Sequence, residues 1–269
     1  MLGESLKETV QQGPETTSVI YTENIRPTDT VVSVGPSASI LKDATLLLAS
    51  SLLSSEGRLY IADPLSPQNT QTYAELQARI GGVVTGIGNV ERILAEIAEL
   101  QRLGMNLQTP EWLGETSAAQ NIPLPDQSVD VVSDHNTSVF LAARASMDPA
   151  LRERALREIY TEYDRVLKPG GRLLIQTNKQ LLQQTRNFKT DIVKKILQEV
   201  GIRVAEKRLE EMIEVPIEAQ TAEQLRRVED DNNSTVRFIG RKVIQGLGTP
   251  RLLFDQPDHW SPDLYLGVK

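Results

Sequence analysis

From residue 29 onward, apolar positions fall into two alternating spacings. Val31-Val32-Ser33-Val34 is a short, mostly β-branched run, the pattern of a strand covered on both faces. Gly35-Pro36-Ser37-Ala38-Ser39 cannot continue it. Ile40, Leu41, Ala44, Leu47, Leu48 and Leu52 then recur at spacings that place one apolar stripe on a helix, and Glu56-Gly57 stops that helix. Leu59-Tyr60-Ile61-Ala62 reads as a second strand, ended by Asp63-Pro64. Strand, helix and strand joined by a right-handed crossover make the two strands parallel neighbours.

The same reading carries on along the chain. Residues 1–28 are polar and read as a cover segment. After a loop, 73–80 reads as a short helix and the glycine-rich 81–88 as a connector. It is not a phosphate loop, because no Lys-Ser/Thr pair follows it. Asn89 is a helix N-cap, followed by the apolar face Val90, Ile93, Leu94, Ile97 and Leu100 and a stop near Gly104. Trp112-Leu113-Gly114 ends a third strand, with Glu115, Thr116 and Ser117 at its tip. Residues 129–133 form a fourth strand, with Asp134 and His135 at its tip and a loop onward to Asp148. Asp148-Pro149 opens a helix with an N-cap acid and a proline at its first position. Lys168-Pro169-Gly170-Gly171 turns that helix into a fifth strand over 172–176. A helix over 191–200 and strands over 202–209 and 235–243 complete the series.

This alternation predicts an α/β fold, a Rossmann-like doubly wound, mostly parallel seven-stranded sheet with a terminal antiparallel pair. The expected organisation is an N-terminal cover segment (1–28), one domain (29–245) with a polar insertion at about 210–233, and a C-terminal tail without a clear element (246–269).

Composition narrows the function. The chain of 269 residues has a formal net charge of −7, which disfavours loose binding to nucleic acid or anionic lipid. It has no cysteine and two histidines, so thiol nucleophiles, zinc–thiolate sites and multi-histidine metal sites are excluded, and no metal site is expected. No apolar run reaches the length of a membrane span, and the expected location is the cytoplasm. The loop after the first strand opens a helix, so its free N–H groups and the positive end of the helix dipole point out of the sheet. An acid at the tip of the next strand, Asp63, can accept hydrogen bonds from two ribose hydroxyls. A nucleoside-bearing ligand follows as an expectation, against the plainer reading of a βαβ unit with no ligand. Asp230-Asp231-Asn232-Asn233 reads as a solvated turn, and Trp112 and Trp260 as core.

Three segments carry a resemblance. Arg165-Val166-Leu167-Lys168-Pro169-Gly170-Gly171 precedes an apolar strand. Ile122-Pro123-Leu124-Pro125-Asp126-Gln127-Ser128-Val129-Asp130-Val131-Val132 precedes the fourth tip, and Glu56-Gly57-Arg58-Leu59-Tyr60-Ile61-Ala62-Asp63 forms the second strand. In order and spacing they resemble class I S-adenosylmethionine-dependent methyltransferases of the ubiquinone and menaquinone biosynthesis type, over about 29–201. The resemblance implies methyl transfer from S-adenosylmethionine to a small-molecule acceptor. It implies cofactor contacts from Ser33, Gly35, Pro36, Ser37, Asp63, Pro64, Glu115, Thr116 and Asp134, with Asp134 and His135 also as catalytic candidates. His135 would be the base if the acceptor must lose a proton. Glu115 is the carboxylate nearest the family's adenine-binding position, which without gaps falls on Ala118. The first loop departs from the family: Ser33 replaces an acid, and Ser37 and Ser39 replace glycines. Two alternatives follow, a methyltransferase-like scaffold without cofactor and another nucleotide-binding α/β enzyme. The oligomeric state has no signature.

Overall fold

Residues 24–36, 40, 43–63, 90–102, 104–114, 117–135, 137–145, 148–178, 191–209, 212–216, 243–244, 251–255 and 262–269 are described by a computed structural model. Among them the helices are α1 (Ala44–Leu52), α2 (Val90–Arg102), α3 (Thr137–Ala145), α4 (Pro149–Val166) and α5 (Asp191–Glu199). The strands are β1 (Thr30–Val34), β2 (Arg58–Ala62), β3 (Glu111–Trp112), β4 (Val129–His135), β5 (Leu167–Asn178), β6 (Arg203–Leu209), β7 (Met212–Pro216), β8 (Val243–Ile244), β9 (Arg251–Asp255) and β10 (Pro262–Val268).

The main sheet has seven strands in the order β3-β2-β1-β4-β5-β10-β6. Strands β1 to β5 pair in parallel, and β10 lies antiparallel between β5 and β6. The order reverses at β1, where β2 lies on one side and β4 on the other, so the crevice at their C-terminal ends is the topological switch point. Alternation along each strand sends side chains to two cores. Val31, Leu59, Ile61, Val131 and Leu174 pack with α1 and α2 through Leu46, Leu47, Ile93 and Ile97. Val32, Val34, Ala62, Val132, Leu173 and Ile175 pack with α3, α4 and α5 through Val139, Leu156, Ile159, Val193 and Ile196. Burial on both faces explains why β1 reads as a short, mostly apolar run.

Two expectations are corrected. The segment after β4 is a helix, α3, where the sequence suggested a loop to Asp148. Its cap, Asp134, sits inside the strand three residues upstream and so does not announce a helix start. The seventh strand of the main sheet is β10, within the supposed tail, while Val243–Ile244 belongs to a separate sheet of order β7-β9-β8 that also draws Met212–Pro216 from the polar insertion. Pro262 and Gly267 disguised β10. Proline is tolerated at the first strand residue. A Cβ on Gly267 would lie 2.7 Å from Ile202 Cγ2, so this glycine serves close packing. The expectations for 1–23, 73–80, 81–88, Asn89, 230–233 and Trp260 lie outside the described residues.

Candidate active site at the C-terminal rim of the sheet

The rim is built from the ends of four adjacent strands. In register, Val34 of β1 lies opposite Ala62 of β2 and Asp134 of β4. The Gly35 N–H donates to the Ala62 carbonyl at 2.9 Å, which fixes the first loop beside Asp63. Gly35 and Asp63 therefore meet on one edge, as the sequence led one to expect. Pro36 is buried there too. Ser37, Pro64, Glu115 and Thr116 lie outside the described residues.

Asp63 is 2% exposed and held by β3 and its exit. Trp112 Nε1 donates to the Asp63 carbonyl at 2.9 Å, and the Asp63 N–H donates to Ser117 Oγ at 3.2 Å. Ser117 Oγ in turn donates to the Gly114 carbonyl at 2.6 Å. Ser117 thus ties Gly114 to Asp63. Trp112 is packed against the core as expected, and its indole N–H also fixes this strand tip.

Asp134 and His135 diverge. Asp134 is 1% exposed and belongs to the α4 face. Its oxygens accept from the N–H groups of Thr137 at 2.7 Å and Ser138 at 3.2 Å and from the Tyr163 hydroxyl at 3.1 Å. Burial pushes this carboxyl above its ordinary value, and the hydrogen bonds from Ser138, Thr137 and Tyr163 only partly offset that. Tyr163 is pushed well above the usual tyrosine value, first by burial and then by the neighbouring Asp134 charge, so it remains a donor. Alternation turns His135 to the opposite face, where its Nδ1 is buried without a protein partner. Ser33 alternates to that same face, and its buried Oγ also lacks a partner. Register places Ser33 beside Ser133, two residues before His135. Two orphaned polar atoms at a switch point are what a polar ligand group would satisfy.

Several residues of the site escape a reading of the sequence. Glu96, on α2 and 3% exposed, accepts the Ile40 N–H on its Oε2 at 3.0 Å and so holds the far end of the first loop. Asp43 then caps α1 by accepting the Leu46 N–H at 2.9 Å. Ser117 and Thr137 likewise act through residues distant in the chain. The one available signal was a glutamate inside the apolar face of α2, flanked by Ile93 and Ile97.

Residues 70–175 match the family model of a methyltransferase domain. The match covers less than half of the 269-residue chain. The matched segment runs through α2, β3, β4, α3, α4 and most of β5, and begins after Asp63 and the first loop. No curated protein matches the sequence. Among solved structures, the chain is similar to the YcgJ protein of Bacillus subtilis, with 12% identity over 95% of this chain and 98% of that one and a TM-score of 0.46. It is similar to a SAM-dependent methyltransferase of Aquifex aeolicus, with 20% identity over 70% and 80% of the two chains and a TM-score of 0.39. It is also similar to the geranyl diphosphate C-methyltransferase of Streptomyces coelicolor, with 11% identity over 93% and 73% and a TM-score of 0.46. At these identities and TM-scores nothing about this chain's chemistry follows from the likeness.

Proposed function

We propose that this protein transfers a methyl group from S-adenosylmethionine to a small-molecule acceptor. The observation that carries the reading is the meeting of Gly35, Asp63 and the end of β4 on one rim at the switch point. The orphaned Ser33 Oγ and His135 Nδ1 fit a polar ligand there. When bound, the cofactor supplies an electrophilic methyl group on a sulfonium. Asp63 would hold the ribose hydroxyls, with Trp112 and Ser117 fixing its backbone. Glu115 and Thr116 would border the adenine. Ser33, Gly35, Pro36 and Ser37 would line the opposite side. His135 would accept the acceptor's proton on Nδ1 where the nucleophile carries one. Asp134, with its oxygens taken up by protein donors, acts by holding α3 in place. The work of the protein is then positioning and exclusion of water. The net charge of −7 favours a small acceptor over a nucleic acid.

Calorimetric titration with S-adenosylhomocysteine tests the reading. Saturable binding that Asp63→Asn weakens at least about tenfold, on the order of one lost charged hydrogen bond, is the expected result. Absence of binding at millimolar ligand in the unmutated protein would overturn it and leave the scaffold alternative.

A further inference from the structure

We propose that the missing Cβ of Gly35 makes room for Thr137, and that Thr137 is a positioning residue latching the start of the first loop to α3. This deepens the methyltransferase reading and rests on it. A glycine in such a loop would ordinarily let backbone approach a bound molecule. Here the space is already taken. A Cβ built on Gly35 would lie 2.2 Å from Thr137 Oγ1, 2.7 Å from its Cγ2 and 3.0 Å from its Cβ, so all three nearest atoms come from one side chain.

Thr137 is held there from both directions. Its Oγ1 lies 2.9 Å from the Gly35 carbonyl and 3.1 Å from that of Val34, the last residue of β1, so its single proton is donated to one or the other. Its own N–H donates to the buried Asp134 carboxylate at 2.7 Å, as does the Ser138 N–H at 3.2 Å. Tyr163 of α4 donates to the same carboxylate at 3.1 Å, and the hydroxyls of Ser138 and Tyr160 pair at 3.1 Å. The first turn of α3 cannot withdraw from Gly35 without unpairing a buried carboxylate. The start of the first loop is therefore fixed by the protein's own threonine.

A double-substitution cycle in the full chain decides it. Gly35→Ala should lower the melting temperature by roughly 5–10 °C. In a Thr137→Ala background the same change should lower it by less than half as much, the remainder reflecting the positive φ of +52°. Equal shifts in both backgrounds would overturn the steric half of the proposal. For the positioning half, Thr137→Ala should weaken S-adenosylhomocysteine at least about fivefold, Thr137→Ser should restore it, and adding Gly35→Ala to Thr137→Ala should weaken it no further. Unchanged binding in Thr137→Ala, or a further loss in the double variant, would overturn that half. If the unmutated protein binds no S-adenosylhomocysteine, the methyltransferase reading and the positioning half fail together, while the melting cycle still decides the steric half. If Gly35→Ala does not fold, hydrogen exchange replaces the cycle. Thr137→Val should speed exchange of the Gly35 amide about fivefold without ligand and Thr137→Ser should not, whereas equal rates would overturn the latch.

Discussion

Asp134 is a buried carboxylate and Glu162 a partly buried one, and the two respond oppositely to pH. Burial lifts Asp134 above the ordinary value of 3.8, so the folded state binds its proton more tightly than the unfolded chain does. Its contribution to stability is complete below that value and is lost as pH rises through the folded value. Burial also pushes Glu162 up, but Arg165 and the Ile122 N–H outweigh it and hold the group below 4.5. Its contribution is complete above the ordinary value and is lost as pH falls through the folded one. Urea unfolding between pH 3 and 7 should therefore show two opposite trends. The stability difference between the unmutated protein and Asp134→Asn should shrink with rising pH, and the difference from Glu162→Gln should shrink with falling pH. A pH-independent difference for either variant would contradict the corresponding assignment.

At the scale of elements, the first loop is held by residues from three others: Gly35 by β2 and α3, and Ile40 by α2. Glu96→Ala would leave the buried Ile40 N–H without its acceptor, at a cost of about 1–3 kcal/mol, while Glu96→Gln keeps an acceptor oxygen and should lose less. Urea midpoints of the two variants check this, and equal losses would show that the carboxylate does not hold the loop through Ile40. The dependence on distant partners explains what the sequence disclosed. Elements covered on both faces, such as β1, β2 and β4, or carrying one apolar stripe, such as α2, α4 and α5, were legible because their own spacing encodes burial. Helix α3 was not, because its cap lies within a strand. Strand β10 was not, because Pro262 and Gly267 resemble loop residues until Ile202 is seen against Gly267. Gly35 and Asp63 could be placed by position in a βαβ unit. Glu96, Ser117 and Thr137 could not, since each acts through a hydrogen bond to a residue more than fifty positions away.

Across the whole molecule, the two segments most like the methyltransferase family form one joint away from the rim. Arg165 pairs with Glu162 and Asp126 and donates to the carbonyls of Ile122 and Leu124, and Lys168 Nζ reaches Asp130 at 2.8 Å. Those side chains tie the Pro-rich entry of β4 to the end of α4, and the start of β5 also bonds Lys269. The Gly170 N–H donates to the Lys269 carbonyl at 3.1 Å, the Lys269 N–H donates to the Gly171 carbonyl at 3.1 Å, and Lys269 Nζ bonds the Asp164 carbonyl at 2.5 Å. Strand β10 fills the slot between β5 and β6, with Gly267 against Ile202 and Leu173. Removing residues 246–269 would strip both neighbouring strands of their backbone partners and open the core beside α5, a loss far larger than trimming a frayed terminus. A chain ending at residue 245 should therefore show no cooperative melting transition in near-ultraviolet circular dichroism. Retention of the full-length transition would mean that the sheet closes without β10 and that the joint at Lys168–Gly171 does not need the terminus.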